Sequence, residues 1–231
     1  MSTPWSTFIT DFPNNTLLPD PKTYRSILSG LHYLTITRPD ISYYVNWAYQ
    51  KMHNPSHEDW QTLKHLLHYL KGSITLNLHL SHNSLLQLTA YSDADWASSK
   101  NDRRSTSGYL VYLGRNLISW SSKKHFIVSR SSTEAEYKVP ANTAAEFIWL
   151  NSLLNEIQIN PQGTPILYCD NLGATYLSVN PVFHARTKHI EINFHFICER
   201  VTAKQLQIRF LPSTHQLVDI LTKPLLKSRF Q

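Results

Sequence analysis

The spacing of apolar residues changes near residue 86, and this change divides the chain into a helical part and a part that contains strands. From residue 22 to residue 72, apolar side chains recur every three or four positions, the period of one helix face. The clearest stripe consists of Trp60, Leu63, Leu66, Leu67 and Leu70. Breaks at Pro39 and Pro55 and a stop at Gly72 predict three helices. Residues 1–21, rich in Pro, Thr, Asn and Asp, predict an irregular lead-in.

Beyond residue 86, short runs of apolar and polar residues predict β-strands. The five runs cover residues 86–91, 108–113, 116–120, 165–169 and 206–211. A long helix is predicted from Ser131 to Ile157, because Ser131 and Glu134 have the spacing of a capping box. Shorter helices are predicted over residues 171–179, 188–202 and 213–221.

This order of elements predicts an α/β fold in which helices flank a mixed five-stranded sheet. The predicted α/β domain covers residues 86–231, and a small helical segment over residues 22–84 precedes it. Hydrophobic residues make up 42% of the chain and charged residues 16%, so a packed core is expected.

Composition also narrows the class of protein. The two cysteines, Cys169 and Cys198, form neither a disulfide framework nor a Cys-x-x-Cys metal pair. No apolar run reaches the roughly 18 residues of a membrane span. No secretory signal is visible at the start of the sequence. The expectation is an intracellular, non-secreted protein without a membrane partner, in either the cytoplasm or the nucleus.

Four acids stand at strand ends and helix starts, where side chains converge in α/β sheets: Asp93, Glu136, Asp170 and Asp219. Carboxylates that lie close together repel one another unless cations neutralise them. Two Mg²⁺ ions about 3.5–4 Å apart can activate a water molecule and stabilise the leaving oxygen in phosphodiester hydrolysis. The positions of these four acids in the sequence, taken alone, are also compatible with acids that lie separately on the surface in contact with water. Asp95, on the same side of an extended chain as Asp93, is an alternative first ligand.

Seven runs of sequence resemble those of copia-type ribonuclease H domains and occur in the same order. The runs are residues 90–97, 102–109, 118–124, 128–137, 167–171, 180–190 and 218–225. Upstream runs resemble the tail of the reverse transcriptase: residues 24–27, 37–42 and 70–72. The chain is thus similar to the C-terminal part of a copia-type retrotransposon Pol polyprotein. The catalytic Asp-Asp pair of the polymerase is not found in this sequence, so the resemblance implies no DNA synthesis by this chain. The missing polymerase domain is an additional expected partner.

The resemblance implies a ribonuclease H-like fold and an endonuclease that cuts the RNA strand of an RNA–DNA hybrid with two Mg²⁺ ions, or with Mn²⁺ in their place. Position by position, it assigns metal binding and catalysis to Asp93, Glu136, Asp170 and Asp219. A hybrid has nearly A-form geometry and 2′-hydroxyl groups on one strand, which a protein can test. The net charge of +6 suits this polyanion. The candidates for phosphate binding, which fit an ordinary basic surface equally well, are Arg104, Lys123, Lys124, Arg130, Arg186 and Lys188.

One residue departs from the family pattern. Pro140 falls inside the predicted long helix and cannot donate a hydrogen bond to the carbonyl oxygen of Glu136. Proline in a helix interior costs about 3 kcal/mol. The expectation is a correct fold whose activity is in doubt. The alternative function is that of a catalytically decayed retroelement fragment, which folds and binds nucleic acid without cleaving it.

Replacement of Pro140 with alanine restores the missing N–H and removes the ring from the carbonyl group of Glu136. We expect Pro140→Ala to raise the melting temperature by several degrees and to raise the rate of hybrid cleavage. Calorimetry and a cleavage assay with a fluorescent hybrid measure the two effects. Equal melting temperatures and equal rates for the two proteins would remove the argument.

Overall fold

The computed structural model describes residues 3–4, 16–82, 85–99, 102–129, 131–170, 191–225 and 227–230, with the backbone alone at residues 133, 136 and 227. These residues belong to two compact units. The helical unit comprises the described residues of 1–78 and 223–231, and the sheet unit comprises those of 79–222. None of the described helices is both long and apolar enough to cross a membrane.

The helical unit contains the three helices that the apolar period predicts. They are α1 (Lys22–Leu34), α2 (Ser42–Tyr49) and α3 (His57–Gly72), with a 3₁₀ turn at Pro39–Ile41 and a C-terminal turn at Lys227–Phe230. Ser56 caps α3 through a complete capping box with Asp59, which satisfies backbone N–H groups at the start of the helix. Tyr24, Leu28 and Leu63 are among the buried residues that pack the helices together.

The sheet unit is built on five strands, as predicted. They are β1 (Leu88–Asp95), β2 (Thr106–Leu113), β3 (Asn116–Lys124), β4 (Ile166–Cys169) and β5 (Gln207–Phe210). The strand order is β3-β2-β1-β4-β5. β2 is antiparallel to β1 and to β3, whereas β4 is parallel to β1 and to β5. The predicted α/β class with a mixed five-stranded sheet is therefore confirmed.

Two helices pack their apolar side chains against the sheet. They are α4 (Ser132–Glu156) and α5 (Glu191–Thr202). Alternate residues of β1, Leu88 and Ala90, lie in the same buried cluster as Tyr137 and Phe147 of α4 and Phe194 of α5. Because side chains alternate along a strand, Tyr91 and Asp93 belong to the opposite face of the sheet.

The helix α4 continues through Pro140 over all of its 25 residues. Ser131 caps it by accepting a hydrogen bond from the backbone N–H of Glu134 at 3.1 Å, which is one half of the predicted capping box. Three residues beyond the proline, the hydroxyl group of Thr143 donates to the carbonyl oxygen of Val139 at 2.9 Å. The proline therefore does not end the helix, and its effect on activity stays a prediction.

The C-terminal elements differ in part from the prediction. The range predicted as one helix, residues 213–221, contains a 3₁₀ turn at Ser213–His215 and a separate short helix, α6 (Asp219–Thr222). Gln216 separates them because its backbone is extended and its buried side chain donates to the carbonyl oxygen of Ser92 at 3.1 Å. The predicted helix over residues 171–179 lies outside the described residues.

The boundary between the units also differs from the predicted one. It falls between residues 78 and 79, whereas the predicted segments meet at residues 84–86, and residues 223–231 belong to the helical unit. Reciprocal hydrogen bonds between Ser81 and the side chain of Asn116, at 2.6 and 3.0 Å, attach the earlier residues to β3. In the helical unit, the ring of Phe230 packs edge-on against Tyr69 with centroids 5.8 Å apart.

The short helix α6 lies close against the sheet at Gly108 of β2. A Cβ atom at Gly108 would lie 2.9 Å from Cβ of Leu221 and 3.1 Å from Cγ2 of Thr222. The hydroxyl group of Ser122 in β3 donates to the carbonyl oxygen of Leu221 at 2.7 Å. The missing side chain at Gly108 therefore allows α6 to reach the face of the sheet that carries Asp93.

A methyl group at Gly108 would overpack this contact. We expect Gly108→Ala to lower the free energy of unfolding by about 1–3 kcal/mol, the usual cost of overpacking, as measured by urea denaturation. Gly30 in α1 is the control, because a Cβ there meets nothing within 4 Å. Gly30→Ala should leave stability unchanged or raise it, since alanine favours a helix. Wild-type stability of Gly108→Ala would contradict the close approach of α6.

Candidate active site

Asp93 and Asp170 lie at the carboxyl edge of the sheet, which we define as the edge where β1, β3, β4 and β5 end. In the register of the parallel strands β1 and β4, Ser92 pairs with Cys169, and the two acids are the next residues along each strand. Two residues before them, the rings of Tyr91 and Tyr168 stack with centroids 5.2 Å apart. The register and the stacked rings therefore assign both acids to the same face of the sheet.

The apolar pattern indicated that Asp93 follows the end of the first strand. In the structure, Asp93 lies inside β1. β1 extends to Asp95 because its pairing with β2 continues through Asp93 opposite Gly108 and Asp95 opposite Thr106. Only 7% of Asp93 is exposed. Its carboxylate is therefore held in a defined position at the carboxyl edge, next to the contact between Gly108 and α6.

Thr222 fixes the carboxylate of Asp93. The hydroxyl group of Thr222, the last residue of α6, donates to Oδ2 of Asp93 at 2.5 Å, and Thr222 itself is fully buried. Asp219 begins α6 three residues earlier and is 2% exposed. Residues three apart share one helix face, so the bond of Thr222 to Asp93 brings Asp219 to the same side of the sheet.

Asp170 receives a hydroxyl group from another segment. The hydroxyl group of Ser213 donates to Oδ2 of Asp170 at 3.0 Å. The backbone N–H of Leu211 donates to the carbonyl oxygen of Cys169 at 2.8 Å, which continues the pairing of β4 and β5 toward this acid. The chain after β5 thus approaches Asp170 before it turns into α6.

Glu136 is the fifth residue of α4, between the buried residues Ala135 and Tyr137. Its side chain is outside what the structure describes. Among the described side chains, no three of the types His, Cys, Asp and Glu form a group that could hold a metal ion. Asp93, Asp170 and Asp219 therefore do not form a complete ligand set by themselves, and the site of four acids stays a prediction. The donors themselves, carboxylate oxygens on buried or half-buried side chains, are of the type that Mg²⁺ prefers.

Two of the predicted phosphate-binding residues surround Asp102, in the turn between β1 and β2. Lys124 lies 3.0 Å and Arg104 3.5 Å from Oδ2 of Asp102. Hydrogen bonds from Ser99 and then Lys124 lower the pKa of Asp102 from 3.8 to about 2. The stabilisation from this pairing is present above the ordinary pKa of Asp102 and is lost as the pH falls toward about 2. Near neutral pH, Lys124 and Arg104 are therefore already held beside a negative charge.

Of the other four predicted phosphate-binding residues, the structure describes Lys123 alone. Lys123 is exposed at the end of β3, with Nζ 5.6 Å from the centroid of the ring of Phe126. Arg130, Arg186 and Lys188 lie outside the described residues.

The sequence interpretation missed Thr222, Ser213 and Gly108. Thr222 stands three positions after Asp219, so its place on the same helix face was a usable signal. Ser213 and Gly108 gave no such signal, because their contacts depend on segments far away in sequence. Asp95 ends β1 opposite Thr106, two residues beyond Asp93, and it stays the alternative to Asp93.

Thr222→Val keeps the shape of the side chain and removes the hydroxyl group. We expect it to lower the free energy of unfolding by about 1–3 kcal/mol, since a hydrogen bond to a buried carboxylate is lost. Thr222→Ser, which keeps the donor, should lose less. In urea denaturation, the effect of Thr222→Val should shrink in an Asp93→Ala background, because the two residues then no longer interact. Equal effects in both backgrounds would contradict the contact.

Comparison with known proteins gives close relatives for almost the whole chain. Over 218 residues, the chain is 52% identical to the retrovirus-related Pol polyprotein from transposon RE1 of Arabidopsis thaliana. The alignment covers 94% of this chain and 15% of the polyprotein. The chain is 36% identical over 209 residues to the corresponding polyprotein from transposon TNT 1-94 of Nicotiana tabacum, with 90% of this chain and 16% of that protein covered. No protein-family profile matches the chain.

Among solved structures, LC11 ribonuclease H1 in complex with an RNA/DNA hybrid is similar to the chain with a TM-score of 0.45 and 14% identity. The alignment covers 59% of this chain and 94% of that one. The chain spans about 15% of the length of the RE1 polyprotein that it matches. On the identity to its relatives, the chain belongs to the family of retrovirus-related Pol polyproteins from copia-type transposons.

Proposed function

We propose that this chain is a metal-dependent ribonuclease that cuts the RNA strand of RNA–DNA hybrids. One observation carries the proposal: Asp93 and Asp170 share the carboxyl edge and one face of the sheet, and Thr222 links Asp93 to the helix that begins at Asp219. Acids on three separate elements are thereby directed to one side of the sheet. Family membership adds that the expected partner is nucleic acid.

Asp93, Glu136, Asp170 and Asp219 would hold two Mg²⁺ ions. Removal of a carboxylate from water is costly unless a cation or donors compensate, and Asp93 and Asp219 are almost fully buried. When bound, the ions would supply an activated water molecule and stabilise the leaving oxygen. Mn²⁺, a hard cation with similar preferences, is the alternative ion.

The chain's own residues orient these carboxylates. The hydroxyl group of Thr222 holds one oxygen of Asp93, and that of Ser213 holds one oxygen of Asp170. A hydrogen bond to one oxygen restricts rotation of the carboxylate and leaves the second oxygen in a fixed direction. Residues that orient metal ligands in this way contribute to metal affinity and activity. Thr222 and Ser213 are therefore proposed as positioning residues.

The proposed substrate, an RNA–DNA hybrid, fits the charge of the chain. The net charge is +6, and Lys123 is exposed near the carboxyl end of β3. Cationic side chains that neutralise phosphates supply affinity independent of sequence. The 2′-hydroxyl groups and A-form geometry of the hybrid would supply the selection of RNA for cleavage.

A second candidate function rests on Pro140. In this second case, the chain folds and binds nucleic acid but does not cut it. The cause would be the backbone carbonyl group of Glu136, which lacks the hydrogen bond that residue 140 would donate in a regular helix. A displacement of about 1 Å at a catalytic group can lower a rate by about 100-fold. The two candidates differ in cleavage and agree in binding.

The Asp170→Asn variant tests the nuclease. We expect it to lower Mg²⁺-dependent cleavage of a fluorescent hybrid by more than about 100-fold, the upper end of the loss when a residue that only orients a metal ligand is removed. Asp20→Asn, the same chemical change at an exposed position near the start of the chain, should cleave like the wild type. Binding of the hybrid without cleavage in Mg²⁺ or Mn²⁺ by the wild-type protein would reject the nuclease and favour the decayed fragment.

A further inference from the structure

An exposed apolar loop lies at the carboxyl edge of the sheet, between β3 and α4. Its residues Phe126, Ile127 and Val128 are 78%, 69% and 45% exposed. Single exposed apolar residues are ordinary, but three in succession are unusual in a soluble domain without a functional reason. β3 ends beside β2 at the same edge as Asp93, and the loop leads into the helix that carries Glu136.

Buried polar residues hold both ends of this loop. Before it, the backbone N–H of His125 donates to the carbonyl oxygen of Ser105 at 2.9 Å, and the imidazole Nε2 lies 2.9 Å from the hydroxyl group of Ser107. After it, the carbonyl oxygen of the buried Ser129 accepts from the indole N–H of Trp96 at 3.3 Å. The apolar side chains are therefore presented from a fixed base.

Trp96 adds an aromatic surface beside the loop. It stands three residues after Asp93, is 47% exposed, and reaches the loop through its bond to Ser129. We call Trp96, Phe126, Ile127 and Val128 together the apolar patch. The patch joins the strand that carries Asp93 to the segment that precedes Glu136.

The charges that act on the patch are mainly positive. Nζ of Lys123 lies 5.6 Å from the centroid of the ring of Phe126, within the range of a cation–π contact. Burial lowers the pKa of His125, and the positive charges of Lys138 and Lys123 lower it further. The negative charge of Glu134 acts in the opposite direction and raises this pKa. Asp102, in the turn between β1 and β2, pairs with both Arg104 of the same turn and Lys124 of β3.

Exposed aromatic rings beside a cation suit one kind of partner, a nucleic-acid strand. Its bases and sugars offer apolar faces, and its phosphates offer the negative charge that Lys123 complements. An apolar protein surface would match the patch but would not complement the positive charge of Lys123.

We propose that Phe126 and Trp96 contact the bases or sugars of the hybrid and position it on the carboxyl edge of the sheet. They are positioning residues, since they bring the strand to the acids and do not act on the scissile bond. The inference rests on the proposed function for the identity of the ligand, and it concerns binding rather than cleavage.

The test measures binding apart from cleavage. The affinity of a fluorescent RNA–DNA hybrid is measured by anisotropy in EDTA for the full chain and for Phe126→Ala, Phe126→Tyr, Trp96→Ala and Trp96→Phe. Trp149→Ala is the matched control, because Trp149 is 57% exposed on α4 and lies outside the patch. Thermal melting followed by circular dichroism shows that each variant is folded.

We expect Phe126→Ala and Trp96→Ala to weaken binding by about tenfold, as the loss of a stacked aromatic residue does. The aromatic variants Phe126→Tyr and Trp96→Phe should restore most of the affinity, and Trp149→Ala should bind like the wild type. The slope of log Kd against log salt concentration should stay unchanged in Phe126→Ala, whereas Lys123→Gln should reduce it by about 1. In the cleavage assay, Phe126→Ala should raise KM and leave kcat nearly unchanged.

Binding by Phe126→Ala within about twofold of Trp149→Ala would overturn the inference, since stacking is worth more than that. So would a wild-type chain that binds no nucleic acid, including one whose patch binds a protein instead. A wild-type chain that binds the hybrid but does not cut it would reject the nuclease alone, because the comparison of affinities would still decide the role of the patch.

Discussion

The hydrogen bond from Thr222 to the carboxylate of Asp93 connects two residues 129 positions apart, and the proposed active site is organised around it. It requires α6 to lie almost on the backbone of β2, which Gly108 permits and Ser122 supports from β3. The same contact brings Asp219 to the side of the sheet that carries Asp93. If α6 stood further from the sheet, Thr222 could not reach Asp93, and Asp219 would not be brought to that side of the sheet.

The opposing constraint is the burial of charge. Asp93 and Asp219 are almost removed from water, and desolvation of a carboxylate is unfavourable without compensation. The hydroxyl group of Thr222 compensates in part for Asp93, and cations bound at the site would compensate further. Lys123, Phe126 and Trp96 near the carboxyl edge remain exposed to water, and the proposed function and the further inference assign them to contact with the nucleic acid.

The sequence was sufficient for the class of fold, since five apolar runs and a capped long helix correspond to the five strands and to α4. It was less informative at strand ends. β1 and β3 continue to Asp95 and Lys124 through residues that are mostly polar, and these residues are recognised as strand only from their pairing with β2. Gln216 divides the last predicted helix through a bond to the backbone of β1. Contacts of this range have no period in the sequence, and for that reason Thr222, Ser213 and Gly108 were not identified from it.

A crystal structure of the chain with Mn²⁺, with the metal located by its anomalous scattering, tests the central claim most directly. The account predicts metal peaks at the carboxyl edge of the sheet, with oxygens of Asp93, Glu136, Asp170 and Asp219 about 2.0–2.2 Å from the ions, as is usual for small hard divalent cations. Four carboxylates that face separate regions of the protein, with no metal bound among them, would contradict it.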